Sequence, residues 1–306
     1  MKPCRFVVAV SVWSLANAWA QPPVNAGPPE IVIHRTNPRQ GGAPTAGSTG
    51  VQTPAITYHG GPVMATPVVY LIWYGNWNKS SGSDTVTGQQ IVTDFLYGLS
   101  GSPYYMTNAS YTTPTGTFTV GGSFTDSYSQ GSRLNDSKVQ TVVSNAINHG
   151  LTKDSNGIYF VLTSSDVAES SGFCFLYCGW HTYGTIAGTN IKYSFVGNAN
   201  RCLNACAAQS TGPNGNAGVD GMVSVIAHEL EETNTDPNLN AWYDSKGYED
   251  ADKCAWTFGQ SLSKTASGAY YNMTLPGVSV SSRPFLIQRE LDANSLCYVN
   301  YATKAQ

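Results

Sequence analysis

The chain alternates between dense apolar runs and stripes of helical spacing. Residues 66–75, TPVVYLIWYG, form an unbroken run of β-branched and aromatic side chains ending in glycine, which predicts a strand buried on both faces. Residues 87–99 place Ile91, Val92, Phe95, Leu96 and Leu99 three and four apart, the spacing of one helix face. Residues 116–124 alternate as a strand, and residues 136–149 carry the helical stripe Val139, Val142, Val143, Ala146 and Ile147. Residues 157–165 read as a second buried strand. A cysteine-bearing segment follows, then a strand over residues 192–197. A long helix is expected from Asp220, a good N-cap, to about Thr235, where Asp236-Pro237 is a good stop. Short strands are expected near residues 269–273 and 285–288. This order predicts an α+β fold, an α/β sandwich with a twisted mixed sheet.

Outside those segments the pattern changes character. Residues 1–20 have a positive start at Lys2 and Arg5, an apolar middle and a small-x-small end at Ala18-Trp19-Ala20, the pattern of a secretory signal peptide. Residues 21–56 are rich in Pro, Gly, Thr and Ala without periodicity and read as a disordered leader. Residues 57–306 then form a single domain. Only 11% of the 306 residues are charged, against a globular average of about 25%. The net charge of −3 argues against a nucleic-acid partner, which selects a basic footprint, and against electrostatic membrane binding. A monomer is expected.

Cys4 falls in the signal-like stretch, which leaves Cys174, Cys178, Cys202, Cys206, Cys254 and Cys297. An even count in an exported chain predicts three disulfides, with the pairing open. The two C-x3-C pairs also admit a four-thiolate metal cluster.

Against this charge-poor background, VSVIAHELEETNTDP (residues 223–237) packs His228, Glu229, Glu231 and Glu232 into five positions. On a helix His228 and Glu232 share a face, while Val223, Ile226 and Leu230 line the other side. The helix is therefore expected to be largely buried and to open into a cleft at its C-terminal end. Burying carboxylates and an imidazole is costly unless they are paired or hold a cation, and no Lys or Arg lies between Arg201 and Lys246. Two ligands at i and i+4, with Glu directly after the first, match the H-E-x-x-H metalloprotease helix, here as H-E-x-x-E. His228 and Glu232 are thus candidate metal ligands, and Glu229 is the candidate catalytic base. A third ligand is expected from the acidic segment 236–254, with Asp252 and Glu249 ranked above Asp236. His181 is a candidate further ligand or transition-state donor, and Tyr243 a candidate hydroxyl donor to an oxyanion. Zn²⁺ suits this set, and its oxygen-rich character also admits Ca²⁺ or Mn²⁺.

Four blocks, YHGGPVMATPVVYLIWYGNW, FCFLYCGWH, YSFVGNANRCLNAC and GVDGMVSVIAHELEETNTDPNLNAWY, together resemble the phosphate-induced protein / EXORDIUM family of secreted plant proteins and microbial relatives. The resemblance runs from about Tyr58 to Cys297 and includes all six cysteines. It implies an extracellular protein, linked in plants to cell-wall growth responses without an established enzymatic activity. Microbial relatives have a similar H-E-x-x-E-x-x-T-D-P string followed by W-Y-D and E-x-x-D-x-C. This chain matches that pattern at His228, Glu229, Glu232, Asp236, Tyr243, Glu249, Asp252 and Cys254. The order of elements ahead of the helix is similar to that of zincin-type peptidases.

The leading expectation is a secreted metal-dependent hydrolase, a zinc-type peptidase acting on a peptide or cell-wall polymer. In it Glu229 activates water held by the metal. The alternative is a non-catalytic extracellular or cell-wall-associated binding protein of the EXORDIUM type, with a structural metal or none.

Overall fold

The computed structural model describes residues 44–301. Its centre is a five-stranded sheet of β1 (Val68–Tyr74), β2 (Thr119–Asp126), β3 (Gly157–Thr163), β4 (Gly179–Ile186) and β5 (Thr189–Val196), in the spatial order β2-β1-β3-β5-β4. All neighbours run parallel except β4, which returns antiparallel along β5. The central strands β1 and β3 pair from Val68↔Gly157 to Tyr74↔Thr163, and both are covered along nearly their whole length. That burial on both faces explains their continuous apolar sequences. Edge strand β2 alternates instead, because one of its faces meets solvent.

Three helices cover the sheet. Thr85 caps α1 (Val86–Leu99) by accepting from Gly88 N, and Asn135 caps α2 (Asp136–Asn148) by accepting from Lys138 N. The long helix α3 (Ala217–Thr235) starts one turn earlier than expected. Asn216 is its N-cap, accepting from Val219 N, while Asp220 sits in the first turn and accepts from Asn214 and Asn216. Two glycines of β4 show which helix lies on which face. A Cβ on Gly184 would meet Gln140 of α2, and one on Gly179 would meet Val225 and Glu229 of α3. Five residues apart on a strand, the two point to opposite faces. Helix α1 packs beside α3, where a Cβ on Gly88 would touch Val219.

Strand β4 was not foreseen, since GWHTYGTI shows neither alternation nor an apolar run. Its glycines are there because helices press on both faces of it. The late strands lie at Tyr270–Tyr271, Met273–Pro276 and Ser282–Phe285, the last two forming an antiparallel hairpin. That hairpin is fastened to α1 by fully buried Asp94, which accepts from Val278 N, Ser279 N and Arg283 Nε. Phe285 meets Phe95 edge-on at 5.1 Å.

The six cysteines form three disulfides, Cys174–Cys202, Cys178–Cys206 and Cys254–Cys297. This removes the four-thiolate cluster from consideration. The expected signal peptide and residues 21–43 of the expected leader lie outside the described residues. The leader's last part, residues 44–56, is not loose. Thr45 bridges Thr257, Gln52 N donates to Ser295 O, and Ile56 is buried with Tyr111, Cys254 and Leu291. No helix of the described residues is long and apolar enough to cross a membrane.

Phe285 is fully buried between the hairpin and α1, so Phe285→Ala should cost about 3–5 kcal/mol in urea unfolding. Val278→Ala, on the exposed tip of the same hairpin, should stay within about 0.5 kcal/mol.

Candidate metal centre

Helix α3 is buried around its whole circumference, polar positions included. The sheet covers one side, α1 another, and the C-terminal segments close the rest. Gly218 and Gly221 permit the closest approaches, to Asn198 and to Ala199. The expected open cleft at the C-terminal end of the helix is instead an enclosed cluster. His228 is 2% exposed, and Glu229 and Glu232 are 3% each.

Three elements bring donors to His228. One turn on along the same helix face, Glu232 places Oε1 3.0 Å from His228 Nε2. Asp252 comes from the 3-10 turn Ala251–Cys254 and places Oδ1 3.2 Å from the same nitrogen. That turn is held in two ways. Cys254 is bridged to Cys297, and Asp250 accepts from Ala251 N and from Thr235 Oγ1 at the end of α3. Asp252 Oδ2 accepts from Glu249 N, which turns Oδ1 toward the histidine. From β4, His181 places Nε2 3.0 Å from Glu249 Oε2 and 3.7 Å from Glu232 Oε2.

These separations fit a cation. Ligands at about 2.0–2.1 Å from a tetrahedral ion lie about 3.3 Å from one another. The donors form two groups with atoms within 4.8 Å of one another, His228–Glu232–Asp252 and His181–Glu232–Glu249. Glu232 Oε1 and Asp252 Oδ1 are buried with no hydrogen-bond partner. Among the described residues no Lys or Arg pairs with Glu229, Glu232, Glu249 or Asp252. Lys253, next in sequence to Asp252, reaches away to Asp244.

The electrostatics record that lack of compensation. Burial pushes the Glu232 carboxyl well above its usual range, and facing Asp252 and Glu249 push it further. Burial likewise raises Glu249, helped by Asp236 and Asp252, and raises Glu229, helped by Asp252. Burial lowers His181 to about 3, so its ring is neutral and offers a lone pair, the form in which histidine binds metal.

Two expected participants stand outside both donor trios, although Asp236 borders Glu249 and keeps Oδ2 buried without a hydrogen-bond partner. Asp236 accepts from Asn240 N and Ala241 N, closing the turn after α3. Tyr243 pairs with Thr57 and stacks on His59 with ring centroids 3.7 Å apart. The third glutamate of the motif, Glu231, faces a different buried pocket and contacts Asn108. Asp250, pushed up to about 7 mainly by burial, and Glu290 raise its carboxyl or are raised by it. Sequence reasoning missed this second acidic group. The only available signal was the acidity of Asp250 and Glu290 themselves, which lie 40 residues apart in sequence.

Comparison with known proteins places the chain. Residues 56–296 match the model of the phosphate-induced protein 1 conserved region. The chain is 31% identical to protein EXORDIUM-like 5 of Arabidopsis thaliana, with 76% of this chain and 74% of that protein covered. It is 32% identical to EXORDIUM-like 3 of the same plant, covering 76% and 79%. It is 30% identical to protein PHOSPHATE-INDUCED 1 of Nicotiana tabacum, covering 71% and 80%. None of these names is that of an enzyme. No solved structure matches. On the strength of the match across the folded domain, the chain belongs to the phosphate-induced protein 1 family, that of the EXORDIUM proteins.

Proposed function

We propose that this chain is an exported, non-catalytic binding protein of the EXORDIUM type, associated with extracellular or cell-wall polymers. In this reading its imidazole–carboxylate cluster holds a divalent cation as a structural tie. The observation that carries the proposal is the closure of the donor set. His181, His228, Glu232 and Glu249 are at most 8% exposed, and the Asp252 side chain is fully covered. Structural metal sites are closed by protein ligands, whereas catalytic ones keep a position open to substrate. The cation would join helix α3, strand β4 and the Asp252 turn, three elements that meet through imidazole–carboxylate contacts and facing carboxylates. Two imidazoles among the donors favour Zn²⁺ or Mn²⁺ over Ca²⁺, which takes oxygen ligands. Export is supported by the signal-like residues 1–20 and by three disulfides, which persist in oxidising compartments.

The zincin-like hydrolase reading retains one observation in its favour, the position of Glu229 directly after His228 and beside the cluster. In that reading the ion supplies Lewis acidity and Glu229 takes a proton from water. Substrate must then reach a carboxylate that is 3% exposed, which is why the binding reading is preferred.

Two outcomes test this. Purified protein should contain a divalent metal by mass spectrometry, and EDTA should lower its melting temperature by about 10 °C. Glu229→Gln, outside the ligand set, should still bind metal, whereas His228→Ala should lower both the metal content and the melting temperature. Turnover of a peptide or glycan by the parent protein, abolished in Glu229→Gln, would return the hydrolase reading to first place.

The second outcome is a pH dependence whose sign depends on the ion. Glu229, Glu232 and Glu249 are held above their ordinary values in the metal-free fold, and Asp250 is at about 7. The folded chain therefore keeps protons that the unfolded chain loses near pH 4. The contribution of these carboxyls is complete below that pH and is lost as pH rises through the raised values, while that of His181 is present above the ordinary histidine value and is lost as pH falls toward 3. Urea unfolding in EDTA should show lower stability at pH 8 than at pH 7, a window in which His181, lowered to about 3 by burial, is neutral in the folded chain and largely neutral in the unfolded one. With metal present the trend should reverse, because ligands bind the ion deprotonated. Greater stability of the metal-free protein at pH 8 would contradict this.

A further inference from the structure

We infer that the cluster is a two-centre site in which Glu232 bridges two divalent cations. The inference rests on the structural-cation reading and extends it. The two oxygens of Glu232 serve different histidines. Oε1 faces His228 Nε2 at 3.0 Å, and Oε2 faces His181 Nε2 at 3.7 Å. Each histidine has a further carboxylate of its own, Asp252 Oδ1 at 3.2 Å from His228 and Glu249 Oε2 at 3.0 Å from His181.

Geometry separates one ion from two. Donors of a single ion lie within about 4.8 Å of one another, twice a metal–ligand distance of about 2.4 Å. The five residues do not join into one such group. They form two trios, His228–Glu232–Asp252 and His181–Glu232–Glu249, whose only shared member is Glu232. A carboxylate bridging ions about 3.5–4 Å apart is the usual arrangement of paired divalent cations.

An independent observation marks the first centre, whereas at the second His181 Nε2 and Glu249 Oε2 hydrogen-bond to each other at 3.0 Å, the pair between which the second ion would enter. Glu232 Oε1 and Asp252 Oδ1 are buried without a hydrogen-bond partner and are aimed at the first centre. Charge completes the case. Glu229, Glu232, Glu249 and Asp252 carry four negative charges when ionised, and no Lys or Arg among the described residues pairs with them. One divalent cation leaves two of those charges buried and uncompensated, a costly state, while two cations neutralise the set. Glu229 has no place in either trio, and in the two-centre site it balances the charge.

The test uses Mn²⁺ as the probe, titrated into the whole protein after EDTA treatment. Stoichiometry is read by mass spectrometry, and coupling between ions by low-temperature electron paramagnetic resonance. The expected result is about two Mn²⁺ per chain with an exchange-coupled spectrum. His181→Ala should reduce this to one ion per chain with the six-line spectrum of isolated Mn²⁺. Glu249→Gln, nearly isosteric, is the second variant if His181→Ala does not fold, and the same drop is expected. One ion per chain and an uncoupled spectrum in the parent protein would overturn the two-centre inference while leaving the structural-cation reading intact. No bound ion, with stability unaffected by EDTA, would overturn both.

Discussion

Charge compensation inside a low-dielectric interior is the constraint on which the rest of this structure depends. Helix α3 carries His228, Glu229 and Glu232 into a position where water is excluded on every side. Asp252 and Glu249 are driven against it from a disulfide-anchored turn, and His181 from the sheet. A buried, unpaired carboxylate is among the most expensive features a fold can contain. Here several converge on two neutral-capable imidazoles with no cationic side chain to balance them. Two solutions remain, protons or metal ions, and they predict opposite responses to pH. Low pH favours the protonated cluster and high pH the loaded one.

The surrounding architecture serves that arrangement. The sheet has its only antiparallel strand, β4, at the edge that carries His181. Gly179 in that strand gives α3 room to lie close, with Glu229 and Val225 against the backbone. Around the donors, hydrogen bonds fix orientation. Thr235 and Ala251 N hold Asp250, and Glu249 N holds one oxygen of Asp252. Lys253, next in sequence to Asp252, pairs with Asp244 instead of the cluster. Each contact is ordinary alone. Together they leave Glu232 Oε1 and Asp252 Oδ1 without a hydrogen-bond partner, while His181 Nε2 and Glu249 Oε2 hydrogen-bond to each other.

Much of this was legible in the residues. The unbroken apolar runs of β1 and β3 and the stripes of α1 and α2 identify themselves by period, and H-E-x-x-E identifies the helix. The absence of Lys and Arg between Arg201 and Lys246 already implied an unbalanced charge. Strand β4 stayed hidden because its identity comes from two helices pressing on it, and a tertiary contact leaves no periodicity. The start of α3 was misplaced by one turn because Asn216 and Asp220 are both good caps. Only the Asn214 and Asn216 donors that Asp220 receives decide between them. Asp236 and Tyr243 shared the composition of the site without joining its donor trios, since Asp236 Oδ1 closes a turn and Tyr243 stacks on His59. The separation of Glu231 from its two neighbours likewise needed the fold, since Asn108 and Asp250 define its pocket from distant parts of the chain.

The Cys254–Cys297 bridge sets an order of assembly. Asp252 is two residues from Cys254, on a turn of four residues. While those cysteines are reduced, the turn is held to α3 by the Thr235–Asp250 hydrogen bond without the covalent tie to the C-terminal segment. The bridge closes in an oxidising compartment. In the structural-cation reading proposed above, the site would be best formed once the bridge has closed. The disulfide thereby makes the geometry of the buried carboxylates depend on the redox state of the chain.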